Sequence, residues 1–168
     1  MEEPLVKIHY WLYPVSWIYG MGVYLRNKLF DWGYYQSKSF DVPVVCVGNL
    51  AVGGTGKTPH TEYLIKLLQQ TGANVAMLSR GYKRKSKGYV LATEKTDVKR
   101  IGDEPYQIKI KFPGIRVAVD ENRCHGIEQL MKLDNPKVDV VLLDDAYQHR
   151  HVKAGLNILL TDFHRLFS

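Results

Sequence analysis

Cysteine is scarce in this chain: two residues in 168, Cys46 and Cys124. They form no C-x-x-C pair, and Cys46 sits in an apolar run. A disulfide framework is therefore not expected, and a reducing, cytosolic compartment is. The six histidines do not combine with the cysteines into a zinc-ligand spacing. Long apolar runs are missing too. The longest uncharged stretch, residues 10–25, falls short of the ~20 residues a spanning helix needs, and Pro14 interrupts it. The start, Met-Glu-Glu, has no basic n-region and no small-residue cleavage site, so no cleavable signal peptide is expected. There is no internal repeat and no low-complexity segment. Acidic charge is in deficit, with 17 Asp and Glu against 23 Lys and Arg, a net charge of +6 and a pI near 9.2. That imbalance favours an anionic partner, whether nucleotide, nucleic acid or acidic membrane surface, and does not by itself choose among them.

Hydrophobic residues make up 45% of the chain, which excludes a disordered protein and allows a buried core. Their distribution is uneven. Residues 4–40 hold all three tryptophans (Trp11, Trp17, Trp32) and most of the tyrosines. Trp and Tyr favour the bilayer interface, and Lys7, Arg26 and Lys28 would suit anionic headgroups. Residues 1–40 are therefore read as a membrane-associated, in-plane helical segment. The competing reading is a helix packed on the domain with its aromatics in the core.

From residue 41 the texture changes to alternating strands and helices. Strands are expected at 42–47, 74–79, 116–119, 138–143 and 156–160, with a short hairpin arm at 88–93. Helices are expected at 59–70, 105–112 and 121–133. The first should present Tyr63, Leu64, Leu67 and Leu68 on one face and stop at Gly72. The third should carry Ile127, Leu130 and Met131. This β-α-β-α order predicts an α/β fold over 41–168, a mostly parallel sheet flanked by helices.

Two motifs carry chemistry. The first is Gly48-Asn49-Leu50-Ala51-Val52-Gly53-Gly54-Thr55-Gly56-Lys57-Thr58-Pro59, lying after a strand and before a helix, which is the setting of a P-loop. Glycines let the backbone wrap a phosphate with its N–H groups turned inward, and the helix N-terminus adds its dipole. Gly53, Gly54, Thr55, Gly56, Lys57 and Thr58 are the expected ATP-binding residues. Lys57 would reach the β- and γ-phosphates, and the Thr58 hydroxyl would ligate Mg²⁺. A strict P-loop has Gly where this chain has Ala51, so Gly53 and Gly54 would supply the turn. The second motif is the apolar run 138–143 ending in Asp144-Asp145. In a Walker B element such a strand delivers a carboxylate to Mg²⁺ at the sheet's carboxyl edge. Either aspartate could be the one that touches the metal or its water shell.

Read together, G-N-L-A-V-G-G-T-G-K-T-P at 48–59, L-S-R-G-Y at 78–82, G-D-E-P at 102–105 and L-D-D-A-Y-Q-H-R at 143–150 resemble the tetraacyldisaccharide 4'-kinase family, in order and over nearly the whole chain. The resemblance implies an ATP- and Mg²⁺-dependent kinase of lipid A biosynthesis. It would phosphorylate the 4'-hydroxyl of a tetraacyldisaccharide 1-phosphate at the cytoplasmic face of the bacterial inner membrane, as a peripheral or monotopic protein. The implied partners are ATP, the anionic glycolipid and the membrane surface, and no nucleic acid. The resemblance also implies Asp103 as general base, Glu104 near the metal, Asp144, Asp145 and Gln148 around Mg²⁺, and His149 and Arg80 beside the cleft. Family members are considerably longer, and their second half adds to the cleft, including a His that assists the base. The chain is accordingly expected to be a fragment.

Simpler roles are open to the same residues. Asp103 precedes Glu104-Pro105 and would also serve as a helix N-cap. The basic run 80–87 could hold the substrate's phosphate or the membrane surface, or be a solvated, mobile loop. His149-Arg150-His151 could be ordinary surface residues. A membrane-bound ATPase switch is one alternative function. Such proteins carry a signature Lys before the Gly-Gly, where this chain has Val52. A P-loop kinase of a soluble molecule is the other, and it leaves the aromatic N-terminal segment unexplained.

Overall fold

The computed structural model describes residues 13–49, 56–146 and 150–161. The chain divides into two compact units, residues 1–37 and 38–168. In the first, α1 (Tyr13–Asp31) places Pro14 in its opening turn, where a missing N–H costs nothing. The helix ends at Asp31, two residues before Gly33, whose φ of +75° is accessible to glycine, and the amides of Tyr34 and Tyr35 close on the Leu29 carbonyl. Phe30 is its one buried residue. Trp17 is 78% exposed and Tyr19 75%. No described helix is long and apolar enough to cross a membrane.

The second unit is built on one six-stranded sheet in the order β3-β4-β2-β5-β1-β6. Its strands are β1 (Val44–Asn49), β2 (Val75–Ser79), β3 (Val90–Leu91), β4 (Arg116–Val119), β5 (Val140–Asp144) and β6 (Leu156–Leu160). All pairings are parallel except β3 with β4. The residues at 88–93 are therefore not one arm of a local hairpin: β3 is an antiparallel edge strand paired to a segment far along the chain. The helices are α2 (Lys57–Gln70), α3 (Val98–Ile101), α4 (Asp103–Lys111) and α5 (Arg123–Met131).

Period-2 alternation in β5 divides the core. Val141 and Leu143 join one apolar cluster with Ile127 and Leu130 of α5. Val140 and Leu142 join the other with Ile65 of α2 and Ile108 of α4. Both faces of the central strands are thus covered, as a parallel sheet requires. The buried stripe of α2 is Thr61 and Ile65, with Leu64 and Leu68 partly buried against the core. Tyr63 and Leu67, expected on that face, are exposed. Gly72 does stop α2: its φ is +81° and its amide donates to the Gln69 carbonyl.

Candidate active site

β5 lies between β1 and β2, with Val47 opposite Asp144. Adjacent parallel strands end at the same edge, so the end of β1 at Asn49 and the turn after β5 at Asp145 lie side by side. That carboxyl edge is where open α/β sheets bind ligands. β1 closes on Asn49, and α2 opens on Lys57 after Gly56, whose φ of +74° is a conformation glycine reaches without strain. The Lys57 ammonium donates to Asn49 Oδ1 at 3.0 Å and stands 3.4 Å from Asp145 Oδ1. A lysine at a helix N-terminus opposes the helix dipole. Helix stability gives no reason for it, whereas an anion at this position would satisfy both positive charges.

Asp145 has φ +53°, a left-handed conformation that aspartate tolerates better than most residues. Its amide donates to the Val47 carbonyl at 3.0 Å, which ties the turn after β5 to β1. Asp144 is 5% exposed, and its Oδ1 has no partner among the described residues. Burial, reinforced by the Glu104 and Asp145 carboxylates, pushes the Asp144 carboxyl up to about 6, against the pull of Lys57 and Arg123. A buried carboxylate with a bare oxygen costs stability unless a cation meets it. Asp144, Asp145 and the half-buried Thr58 are oxygen donors of the kind Mg²⁺ takes, so the residues present fit that ion.

Three further charges surround this cluster. Glu104, in the first turn of α4, is close enough for its charge to act on Asp144. Arg80 follows β2 directly and acts on Arg123, whose guanidinium is held below its ordinary value by burial and by Arg80. Arg123 opens α5 and is 3% exposed. Its Nη1 donates to the Asp120 carbonyl at 2.6 Å, while Nε and Nη2 have no partner among the described residues. Asp103 is the first, exposed residue of α4; Gly102 occupies the N-cap position and no side chain caps the helix. The N-cap alternative for Asp103 is thereby removed.

Of the residues singled out by their motifs, Lys57, Asp144 and Asp145 come together in one cluster, with Thr58 beside Lys57 and with Glu104 and Arg80 around it. Gly53, Gly54, Thr55, Gln148 and His149 lie outside the described residues. Sequence reasoning assigned no role to Asn49 or Arg123. Asn49 had a readable signal, the polar residue closing an apolar strand. Arg123 had none, because a cation a few residues past a strand end ordinarily points into solvent.

The family model described as Tetraacyldisaccharide-1-P 4'-kinase matches residues 8–168. The chain is 71% identical over 167 residues to a tetraacyldisaccharide 4'-kinase of Bacteroides fragilis and 69% identical to that of Bacteroides thetaiotaomicron. In both cases 99% of this chain aligns to 44% of the relative, so the chain spans under half of their length. The crystal structure of LpxK from Aquifex aeolicus in complex with ATP superposes with a TM-score of 0.79 at 42% identity, covering 88% of this chain and 47% of that one. The chain belongs to the tetraacyldisaccharide-1-P 4'-kinase family.

Proposed function

We propose that this chain is the nucleotide-binding part of a P-loop kinase that transfers the γ-phosphate of ATP to the 4'-hydroxyl of a tetraacyldisaccharide 1-phosphate in lipid A biosynthesis. One observation carries the reading: Lys57, at the mouth of α2, faces Asp145 across 3.4 Å while Asp144 lies beside it on the neighbouring strand. Cation and paired carboxylates at one sheet edge form a site for a phosphate chain with its metal. The names of the relatives and the ATP of the Aquifex complex support the substrate and the nucleotide.

In this reading the amides of 53–56 and the Lys57 ammonium hold the β- and γ-phosphates. Thr58, Asp144 and Asp145 would hold Mg²⁺, with Glu104 and Gln148 nearby; the ion would neutralise charge on the phosphate oxygens. The 4'-oxygen attacks the γ-phosphorus, the bond to the β–γ bridging oxygen breaks, and ADP leaves. Asp103, exposed at the start of α4, accepts the hydroxyl proton, with His149 beside the cleft. Arg80 contacts the anionic substrate. Phosphoryl transfer depends more on placement and charge neutralisation than on a strong base.

The exposed aromatic and aliphatic side chains of α1 support a membrane-associated segment within residues 1–40, at the cytoplasmic face of the inner membrane. Trp17, Tyr19, Tyr24 and Leu25 are all more than half exposed, and Lys28 lies in the last turn. Deleting residues 1–40 should abolish co-sedimentation with anionic liposomes; equal binding would end the membrane assignment.

The function is tested by transfer of labelled γ-phosphate from ATP to the disaccharide lipid in detergent, with the full-length protein. Asp103→Asn should keep ATP affinity and lower turnover about 10³-fold. An unchanged kcat would remove Asp103 from the mechanism, and transfer only to water would favour an ATPase.

A further inference from the structure

The basic run 80–87 contains five cations, and they are not alike. Arg80, Lys83, Lys85 and Lys87 are exposed. The Arg84 side chain is 3% exposed and engaged with its own loop and the next one. Its Nη2 meets Glu121 Oε1 at 2.6 Å and donates to the Gly88 carbonyl at 2.8 Å, and its Nη1 donates to Ser86 Oγ at 3.2 Å. Glu121, just past β4, also accepts from the Gly88 amide at 2.9 Å. Burial works to raise the Glu121 carboxyl, but the bonds from its own backbone, Arg84 and Gly88 outweigh it and leave it below its ordinary range. Glu121 thus holds the loop at two points, the Arg84 guanidinium and the Gly88 amide.

The same loop is fastened on its other side to the turn that launches α4. The Lys85 amide donates to the Lys99 carbonyl at 2.8 Å, and Ser86 Oγ donates to the Arg100 carbonyl. Gly81 and Gly102 bring the two backbones together. A Cβ on Gly102 would stand 2.8 Å from the Tyr82 carbonyl, and one on Gly81 would stand 2.9 Å from the Ile101 carbonyl. Gly81 has φ +73° and Gly102 φ +90°, so neither tolerates a side chain on conformational grounds either. Lys83 holds a left-handed φ of +58°, uncommon outside glycine, and its ammonium lies over the Tyr82 ring. A solvated, mobile loop would show none of these constraints. Asp103 follows Gly102 directly, so the loop and Asp103 share one backbone contact.

We propose that Arg84 and Glu121 are positioning residues: together with the Gly81–Gly102 contact they fix the 80–88 loop and the start of α4 as one body, setting where the acceptor sits relative to Asp103. Arg84 is on this account not a ligand of the substrate phosphate, although it lies in the middle of the basic run. The proposal rests on the kinase reading above. Strength at this contact matters because misplacing an acceptor by an ångström is enough to slow transfer heavily.

The experiment compares wild-type full-length protein with Glu121→Ala, Glu121→Gln and Gly102→Ala, by transfer kinetics and by amide hydrogen exchange. Glu121 is exposed but pairs with the buried Arg84 guanidinium, so kinetics are measured at temperatures where circular dichroism shows each variant folded. Glu121→Ala should lower kcat for the lipid acceptor about tenfold or more while leaving the KM for ATP within about twofold. The Gly88 amide should exchange faster, and Glu121→Gln, which keeps one acceptor oxygen of the two and loses the charge facing Arg84, should recover the Gly88 protection and kcat only in part. Gly102→Ala should give the same split from the other side of the contact. A lowered Tm with kcat and acceptor KM unchanged in Glu121→Ala would overturn the proposal, as would a Gly88 amide that exchanges unprotected in the wild type. A wild type that transfers no phosphate to the lipid would instead sink the kinase reading, and the Gly88 exchange would still decide whether the clamp exists.

Discussion

The two edges of the parallel sheet are made from the same strands and are chemically opposite. At the amino edge, Asp41, Val42, Pro43, Met131, Lys137 and Val138 line a cavity of about 370 Å³. Asp139, which also lines it, accepts from both the amide and the side-chain nitrogen of Asn74 at 2.8 Å. That carboxylate is exposed and answered. At the carboxyl edge, Asp144 is buried with a bare oxygen, Arg123 is buried with two nitrogens unanswered among the described residues, and Asp145 sits in a left-handed turn. Folding alone would select against all three. Unsatisfied charge therefore marks the carboxyl edge as the chemical one. Active sites in general hold groups whose energetics suit a ligand better than the empty fold.

The largest break in this comparison comes from Lys57. Lys57→Ala removes the cation that meets the phosphates and also the one that offsets Asp145. The kcat/KM for phosphate transfer should fall about 10³-fold or more, measured with the labelled-phosphate assay. A loss confined to stability would mean that Lys57 is only an internal counter-ion.

Asp144 sharpens the contrast through pH. Its folded value of about 6 lies above the ordinary carboxyl value of 3.8. A raised carboxyl favours the fold when protonated, so that contribution is complete below pH 3.8 and is lost as pH rises through about 6. Above that, the metal-free protein carries a cost of roughly 3 kcal/mol at this one side chain. Asp144→Asn should therefore raise Tm in EDTA at about pH 8, and the gain should vanish below about pH 4. With Mg²⁺ and ATP the order should reverse, because only the wild type is stabilised by binding. An Asn variant less stable than wild type in EDTA at alkaline pH would contradict the assignment of Asp144 as a strained carboxylate.

The fold was largely legible because its strands announce themselves. The segments 116–119 and 156–160 are bounded where the apolar runs place them. The first strand is displaced, at Val44–Asn49 and not 42–47, because its ladder with β6 continues through Gly48 and Asn49. Local pattern cannot know the length of a partner strand. α4 begins at Asp103, two residues before Pro105, since the turn is set by Gly102 pressed against the Tyr82 carbonyl. α5 begins at Arg123 because Asn122 caps it, accepting from the His125 amide. At the site, Lys57 and the aspartate pair were readable from motif spacing. Arg123 was not: its charge meets Arg80 and the aspartates only because the sheet order brings those loops together, and strand order is a property of the whole chain.

The amino edge supplies the smallest and most discriminating test. Asp139→Ala removes two hydrogen bonds to an exposed carboxylate, a loss of about 1 kcal/mol. It changes nothing at the other end of β5, because Val140–Asp144 is anchored on both sides by β1 and β2. Tm should drop by a few degrees, while kcat and the KM values for ATP and lipid stay at wild-type level. If Asp139→Ala instead lowered kcat at temperatures where the protein is fully folded, the cavity at this edge would be coupled to the reaction. The division of the sheet into a structural edge and a chemical edge would then be wrong, because a change at the start of β5 would have moved the carboxylates at its end through a strand that both neighbours hold in register.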